Sequence, residues 1–498
     1  MAYRKKKYDL TNEKDCEELR NLLLLEESEG SDYERDEIEH EESDTDASVS
    51  AEERGEDSET DQSDVSETEE DEDEGDESHF VAVQKKNKKI VNEWKWKKTP
   101  MSQRKRAPRQ NIIIHLPGVI GEARKPGGIY ETWNLLINDN ILQKITQYTN
   151  QYIVLIQTKF ARLRDAQKTD ITEIKAFIGL VYLAGVYHAN RLNLKELWST
   201  EGIERFRRTM SLKRFHFIMR SIRFDDRETR EERKHVDRLA PIRGIFEEFV
   251  KNCKKSYSLS ENITIDEKLE AFRGRCQFRQ YIPSKPSKYG IKIFALVDSK
   301  LFYTYNMEIY AGQQPDGPYK LSNKPVDVVK RLVVPIHNSG RNVTIDNWFT
   351  SYDLVDYLTQ KRLSIVGTLK KNKPQIPFEF KKIKDRAVAS SIFGFQKDCT
   401  LVSYVPKQNK NVILLSSMHF GNTIDKNTGK KQKPEIITYY NATKGGVDTV
   451  DKMCASYNVA RNTKRWPMVT FYSMLNVCGI NSQIIFLGNN NKVSSRRS

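Results

Sequence analysis

The stretch NITID at residues 262–266 returns almost unchanged as NVTID at residues 342–346. Each has a β-branched residue, a threonine and an isoleucine before an aspartate, Asp266 in the first and Asp346 in the second. Such residues favour strands, and alternate side chains of a strand share a face, so threonine and aspartate point the same way. If the two strands are neighbours, the carboxylates repel each other unless a cation lies between them. The repeat therefore predicts either a metal site or two ordinary strands that end alike by chance.

A third acid for such a site is offered by KGGVDTVDKM at residues 444–453. Asp448 and Asp451 are three residues apart, which places them on one face of a helix that begins after two glycines. A plainer alternative is that both acids only complement the positive end of the helix dipole.

The two strand acids also have plain alternatives. Asp266 could form an ion pair with Lys268 or Arg273, which follow it closely in the sequence. Asp346 could cap the helix that is predicted after NWFTS. Each alternative is reasonable alone, but two strand acids followed by a helix acid, in this order, form a much more specific pattern.

The hydrophobic pattern around these acids predicts an α/β core. Short apolar runs bounded by turn residues indicate strands, and apolar residues at helical spacing indicate helices. The predicted strands cover residues 262–272, 290–300, 302–312, 343–346 and 363–369, with helices at 325–332 and after Ser351. Strands and helices in this order indicate an α/β arrangement with both aspartates at strand ends.

Helical spacing dominates residues 111–257 and returns from about residue 438. Residues 174–187 and 215–222 have apolar positions at helical spacing, with Asp170 or Thr172 as the N-cap of the first helix. Arginine and lysine line the polar faces, which is equally typical of a DNA-facing surface and of a solvated helix face.

Charge is distributed unevenly along the 498 residues. The net charge is +13, yet residues 41–80 contain twenty acidic residues and one basic residue, Arg54. High charge with few apolar residues predicts disorder for the N-terminal part, up to residue 80. The remaining chain is strongly basic, which indicates a polyanionic partner such as nucleic acid, although a lysine-rich soluble surface is the plainer alternative.

Several classes of protein do not fit the sequence. No run of about 18 apolar residues predicts a membrane span, and the start MAYRKKKYDL lacks the apolar core of a secretory signal. The six cysteines form no CxxC pair, and the histidines show no zinc spacing. We interpret the cysteines as reduced, mostly buried thiols of an intracellular protein without a membrane partner.

A basic segment follows the acidic part. Clusters of lysine and arginine lie between residues 85 and 106, with Trp94 and Trp96 among them. Such clusters are typical of nuclear import signals and phosphate contacts, and they also occur in plain linkers. We therefore interpret residues 81–110 as a basic linker that nuclear import factors could bind, and we expect the protein in the nucleus.

Several long motifs carry a resemblance to a known family. They are TIDEKLEAFRGRCQFRQYIPSKPSKYGIKIFALVDS (264–299), TIDNWFTS (344–351), VGTLKKNKPQIP (366–377), YNATKGGVDTVDKMCASYN (440–458) and RNTKRWPM (461–468). In this order they resemble the piggyBac family of cut-and-paste DNA transposases. The likeness runs from about residue 112 to residue 490.

The resemblance implies a ribonuclease H-like α/β core with an insertion subdomain. A mostly helical DNA-binding and dimerisation domain would flank the core, after the disordered acidic N-terminus. The implied boundaries are 1–80 for the acidic region, 81–110 for the linker, 111–257 and 458–498 for the helical domain, 258–370 and 436–457 for the core, and 371–435 for the insertion.

By position, the resemblance also implies an acidic triad of Asp266, Asp346 and Asp448, with Asp451 as a further essential acid and metal ligand. Two divalent ions would lie between them, in such sites about 3.5–4 Å apart, with Mg²⁺ suited to oxygen ligands and Mn²⁺ as a substitute. One ion would activate water or a DNA 3′-OH, and the other would stabilise charge on the leaving oxygen. No serine, cysteine or histidine nucleophile is required.

The family's partners are double-stranded transposon ends and TTAA target sites, bound by a homodimer. Arginines and lysines between aromatic residues in FRGRCQFRQYIPSKPSKYG suit phosphate contacts and base stacking, although a merely cationic surface hairpin is possible. The candidate DNA-binding residues in the family motifs are Arg273, Arg275, Arg279, Lys285, Lys288, Tyr289, Lys292, Lys370, Lys371, Lys373, Lys464 and Arg465.

Family members usually continue into a cysteine-rich, zinc-binding domain that recognises the transposon ends, whereas this sequence ends NNNKVSSRRS. Two functions are therefore expected as alternatives. One is an active DDE/DDD transposase with altered end recognition. The other is a domesticated or truncated copy that serves as a nuclear DNA-binding or chromatin protein without transposition activity.

Overall fold

The computed structural model describes the backbone of residues 52–53 together with residues 78–86, 89–101, 112–283 and 285–490. The predicted disorder of the N-terminal part therefore falls almost wholly outside the described residues. The first described element, β1 (Glu52–Glu53), pairs in parallel with a short strand at residues 280–281.

A β-hairpin lies where the sequence analysis places a basic linker. Strands β2 (His79–Lys86) and β3 (Lys89–Lys97) pair antiparallel. Trp96 in β3 is 1% exposed, and its indole N–H donates a hydrogen bond to the carbonyl of Gln375 at 3.0 Å. The linker interpretation is wrong for this part of the chain, because burial of Trp96 attaches the hairpin to the globular body.

The helical part follows the strand β4 (Gly118–Val119). Its helices within the described chain are α1 (Ile129–Leu136), α2 (Asp139–Ile156), α3 (Ile171–Val186), α4 (Leu194–Trp198), α5 (Glu204–Thr209), α6 (Leu212–Ser221), α7 (Arg230–Lys234) and α8 (Arg243–Ser256). The side chain of Asp170 accepts a hydrogen bond from the Glu173 N–H at 2.8 Å, so the predicted N-cap of α3 is confirmed.

The α/β core begins directly after α8. Its elements are β5 (Tyr257–Ser258), β6 (Asn262–Ala271), β7 (Gln280–Tyr281), β8 (Tyr289–Asp298), β9 (Thr304–Ile309), α9 (Pro325–Val333), β10 (Asn342–Ile345), α10 (Tyr352–Gln360) and β11 (Ser364–Thr368). Strand β8 is buried along nearly its whole length and pairs antiparallel with β6. Strand β10 lies between β6 and β11 and runs parallel to both. The α/β prediction is confirmed, including every strand and helix that it placed here.

The lysine-rich part after β11 extends the same sheet. It contains α11 (Phe378–Lys381) and the strands β12 (Ser391–Phe395), β13 (Thr400–Lys407) and β14 (Lys410–Ser416). The strand order is β1-β7-β8-β6-β10-β11-β14-β13-β12-β3-β2, and β9 pairs with β8. Residues 371–435 thus contribute antiparallel strands to the sheet of the core, and the predicted domain boundaries stay predictions.

Three helices complete the described chain, α12 (Glu435–Thr443), α13 (Gly446–Ser456) and α14 (Trp466–Asn489). Helix α14 is buried on most of its sides, because it packs against α1, α8 and α13 as well as against the sheet. None of the helices in the described ranges has the length and apolarity to cross a membrane. The five cysteines within those ranges are buried and form no disulfide.

Candidate active site

The two repeated strands lie side by side. In the parallel pairing of β6 and β10, Asn262 is opposite Asn342 and Ile265 is opposite Ile345. Asp266 and Asp346 occupy the next position of this register, so they leave the sheet at the same edge. The predicted neighbourhood of the two strand acids is confirmed.

Asp346 is held by the turn that follows β10. Its Oδ1 accepts hydrogen bonds from the backbone N–H groups of Trp348 at 3.0 Å and Phe349 at 3.3 Å. Helix α10 has its N-cap at Ser351, so Asp346 does not cap this helix, as one alternative proposed. It caps a turn instead, which fixes the direction of its carboxylate at the strand end.

The junction between α12 and α13 is held against these strands by hydroxyl groups. Thr264 in β6 donates to the carbonyl of Thr443 at 2.6 Å, and Thr344 in β10 shares a hydrogen bond of 2.8 Å with the Thr443 hydroxyl. Gly446 lies so close that a Cβ there would be 2.5 Å from Thr264 Oγ1. The glycine is required for this approach, and it brings the first turn of α13, which carries Asp448, to the edge with Asp266.

Lys285 lies among the acids of this edge. Its ammonium is 3.8 Å from Asp448 Oδ1 and donates to the backbone carbonyl of Glu267 at 3.4 Å. Burial lowers the pKa of Lys285, but Asp266, Glu267 and Asp448 outweigh this effect and raise it. Lys285 is therefore a resident counter-charge for the carboxylates, although it is predicted from the sequence only as a DNA contact.

Asp451, one helical turn beyond Asp448, pairs with a different lysine. Lys268 in β6 is 1% exposed, and its ammonium lies 3.1 Å from Asp451 Oδ1 and 3.3 Å from Glu270 Oε1. The alternative that Lys268 pairs with Asp266 is not what the structure shows. Lys268 and Glu270 are absent from the candidate site residues of the sequence analysis, although their alternation with Asp266 along β6 places all three on one face.

Part of the predicted DNA-binding strip is accessible at the surface. The exposed residues of this strip are Arg273, Arg275, Lys288, Tyr289 and Lys464. The backbone of Lys464 lies next to Gly274, since a Cβ on this glycine would be 2.7 Å from the Lys464 carbonyl. Lys464 is therefore close to Arg273 and Arg275. Arg279 is partly buried, donates to the carbonyls of residues 273 and 274, and lies over the Tyr289 ring. These residues form one basic surface with an aromatic ring, which we call the basic strip: Arg273, Arg275, Arg279, Lys288, Tyr289 and Lys464.

Two predicted DNA contacts are directed into the protein. Lys292 is 4% exposed, and its ammonium lies 4.1 Å from the Tyr310 ring centroid. The guanidinium of Arg465 donates to the carbonyls of Arg220 at 3.2 Å and Ile222 at 2.6 Å, where α6 ends. These two assignments to DNA are corrected, because Lys292 is buried in β8 among the rings of Phe294, Tyr310 and Trp348, and helix capping occupies Arg465.

The lysines Lys370, Lys371 and Lys373 follow the end of β11 and are partly buried. Strand β11 runs parallel to β10, so these lysines leave the sheet at the edge that carries Asp346. Their position is compatible with a contact to a polyanion bound at this edge.

Similarity to known proteins agrees with this geometry. A family profile described as Transposase IS4 matches residues 130–483, which is most of the chain. The architecture also matches a cryo-EM structure of a piggyBac transposase synaptic complex with hairpin DNA, with a TM-score of 0.72 and 38% identity over 76% of this chain and 80% of that chain.

This chain belongs to the piggyBac transposase family. Two human relatives are piggyBac transposable element-derived protein 3, 23% identical over 75% of this chain and 62% of its own length, and protein 2, 24% identical over 71% and 60%. The chain therefore spans less than two thirds of the length of these curated relatives. The family likeness and the α/β architecture confirm the ribonuclease H-like fold that the motifs imply.

Transposases of this DDE type use divalent metal ions, and the strand acids have suitable chemistry for one. Burial raises the pKa of Asp266 well above its usual value, with repulsion from Glu267 and Asp346 adding to the effect. Carboxylate oxygens are the ligands that Mg²⁺ and Mn²⁺ accept, and a divalent ion would relieve this repulsion.

The acids do not form a ready-made metal centre. Across the described ranges, no three His, Cys, Asp or Glu side chains come together closely enough to hold a metal ion. The side chain of Asp448 is 52% exposed and turned toward Lys285, while that of Asp451 contacts Lys268. The expectation of one compact carboxylate cluster is corrected, because the two lysines draw the helix acids to themselves.

Proposed function

We propose that this protein catalyses metal-dependent cleavage and transfer of DNA strands, as a cut-and-paste transposase that acts on transposon ends and TTAA target sites. The observation that carries the proposal is the shared position of Asp266 and Asp346 in the parallel β6–β10 register, with Asp448 brought to the same edge by the close approach of Gly446. Two strand acids and one helix acid around a basic surface are the parts that phosphoryl transfer needs.

In this proposal Asp266, Asp346 and Asp448 would hold the divalent ions, Mg²⁺ with Mn²⁺ as a substitute. When bound, such ions activate the attacking oxygen and stabilise charge on the leaving oxygen. The turn after β10 keeps Asp346 directed at the edge through two backbone N–H groups. Lys285 neutralises the carboxylates before DNA arrives and then attracts a DNA phosphate.

The basic strip would bind the phosphate backbone next to the acids, since Arg273 and Arg275 are exposed in the segment that joins β6 to β7. Phosphate contacts of this kind give orientation and affinity, and the Tyr289 ring offers a surface for base stacking. A homodimer on double-stranded DNA and a nuclear location are part of the proposal. The clusters between residues 85 and 106 would bind import factors, and a fluorescent fusion that stays in the cytoplasm would contradict this location.

The test is a cleavage and strand-transfer assay with the purified protein. DNA duplexes that carry the chain's own genomic flanks next to TTAA are incubated with Mg²⁺, Mn²⁺ or no divalent ion. We expect nicking and hairpin products that depend on the metal and disappear in Asp266→Asn and Asp448→Asn. Metal-independent products, or a product yield from either variant equal to that of the unmodified protein, would contradict the proposal. Tight DNA binding without any cleavage would instead support the alternative of a transposase-derived chromatin protein.

A further inference from the structure

The ion pair of Lys268 with Asp451 is more buried than the ion pair of Lys285 with Asp448, because Lys268 is 1% exposed. The ammonium of Lys268 is within hydrogen-bond or ion-pair distance of Asp451, Glu270 and the Cys454 sulfur, the last at 3.7 Å. A buried charge of this kind is tolerated when its partners surround it, and removal of one partner leaves the others without compensation.

The pair joins three elements of the fold. Lys268 and Glu270 belong to β6, and Asp451 and Cys454 belong to α13. Glu270 also accepts a hydrogen bond of 2.6 Å from the Ser473 hydroxyl in α14. The second turn of α13 is therefore fastened to the strand that carries Asp266 and, through it, to the central helix.

This attachment acts on the position of Asp448. The threonines of β6 and β10 bind Thr443, the last residue of α12, and Gly446 at the start of α13 packs closely against Thr264. The second turn of α13 is held by Lys268. Between these two attachments, the carboxylate of Asp448 has one ion-pair partner within the described chain, Lys285 at 3.8 Å, so its direction depends on the orientation of the helix.

We propose that Asp451 is a positioning residue rather than a direct metal ligand, and that Lys268 holds it so that α13 directs Asp448 toward Asp266 and Asp346. The inference rests on the proposed function for its cleavage and Mn²⁺ tests, and on the fold alone for its hydrogen-exchange test. It assigns a role to Lys268, and it replaces the assignment of Asp451 to the metal.

The decisive experiment compares Lys268→Met, Asp451→Leu and the double variant in the full chain. Lys268→Met leaves Asp451 and Glu270 without their cation, and Asp451→Leu removes one of the two carboxylates that pair with Lys268. We therefore expect cleavage to fall roughly tenfold or more in each, within the range of coupling between contacting residues. The double variant removes both charges of the Lys268–Asp451 pair. Glu270 loses Lys268 as well, but it is 22% exposed and keeps the hydrogen bond from Ser473, so the combined change should be close to neutral. We therefore expect the double variant to recover cleavage to about threefold below the unmodified protein.

Two further measurements do not depend on cleavage. Calorimetric titration of the DNA-free protein with Mn²⁺ should give the double variant nearly the affinity of the unmodified protein, whereas Asp266→Asn should lose binding. Hydrogen exchange of the amides of residues 446–456 should become faster in Lys268→Met and slow again in the double variant. Arg230→Met is the matched control, since it removes a buried cation from the Arg230–Asp225 pair of 2.6 Å outside the site. It should leave Mn²⁺ affinity and the exchange of α13 unchanged.

A double variant as inactive and as weak in Mn²⁺ binding as Asp451→Leu would overturn the proposal, because a missing ligand cannot be restored by an apolar partner. Unchanged exchange of α13 in Lys268→Met would overturn it as well. If Lys268→Met does not fold, Lys268→Gln takes its place. Its amide can still donate to Asp451 but carries no charge, so we expect cleavage to fall and the exchange of α13 to become faster, each by less than in Lys268→Met. Absence of cleavage in the unmodified protein would contradict only the proposed function, and the exchange experiment would still decide the role of Lys268.

Discussion

Two lysines lie among the acids of the site, and the protein holds them in different ways. Lys268 is 1% exposed and has three close partners, whereas Lys285 is 22% exposed and approaches its ion-pair partner, Asp448, at 3.8 Å. A buried, fully paired lysine stabilises one arrangement, while a loosely paired lysine at a polar edge can move to a new anion. The comparison indicates that Lys268 maintains the structure of the site, whereas Lys285 interacts with the groups that bind there.

The largest effect on cleavage is expected when an acid of the site is replaced. Asp266→Asn should lower cleavage on the order of a thousandfold, because loss of a metal-binding carboxylate removes several kcal/mol of transition-state stabilisation. DNA affinity should stay equal or rise, since a negative charge that faces phosphate is removed. Cleavage rates and DNA titrations measure both, with Asp316→Asn as the control for an exposed acid that pairs with Lys320. Cleavage that is undiminished in Asp266→Asn would exclude this acid as a ligand.

Replacement of Lys268 should lower the free energy of unfolding much more than replacement of Lys285. Lys268→Met should lower the free energy of unfolding by roughly 3–5 kcal/mol, the usual cost of breaking a buried ion pair on one side. Lys285→Met should change it by less than about 1 kcal/mol, because its partner Asp448 is half exposed and solvent screens the pair. Denaturant unfolding at neutral pH measures both variants, and equal decreases would remove the distinction between the two lysines.

Lys285 should compete with the metal. Without its ammonium, the carboxylates of Asp266 and Asp448 attract a divalent ion more strongly, so the Mn²⁺ concentration for half-maximal cleavage should fall about threefold to tenfold in Lys285→Met. The maximal rate should fall too, since a methionine side chain cannot bind phosphate. A higher metal requirement in this variant would show that Lys285 does not act as a counter-charge.

The smallest effect is expected at the basic strip. Replacing Arg273 and Arg275 by glutamine should make the slope of log affinity against log salt less steep by about 0.9 for each phosphate that is no longer neutralised. Lys292→Met should leave the slope unchanged, because this lysine lies under aromatic rings. The three side chains are alike in the sequence pattern, so equal changes in slope would show that burial does not distinguish them.

Local signals in the chain were enough to predict the core elements and the order of the acids. The β-branched runs of NITID and NVTID predict strands, and the helix with Asp448 is predicted from the diglycine and the spacing of its acids, because these signals involve residues that are close in sequence. The family motifs also imply the ribonuclease H-like fold.

Which charged side chains form ion pairs is decided only by the tertiary structure. Alternation along β6 gives Asp266, Lys268 and Glu270 a common face, yet the partner of Lys268 depends on how α13 docks on β6, and this docking follows from Gly446, Thr443 and the packing of α14. Likewise, the hairpin held by Trp96 and the buried position of Lys292 depend on segments far away in the chain. Ion pairs and burial are long-range properties that compete with many local alternatives, so spacing alone cannot choose among them.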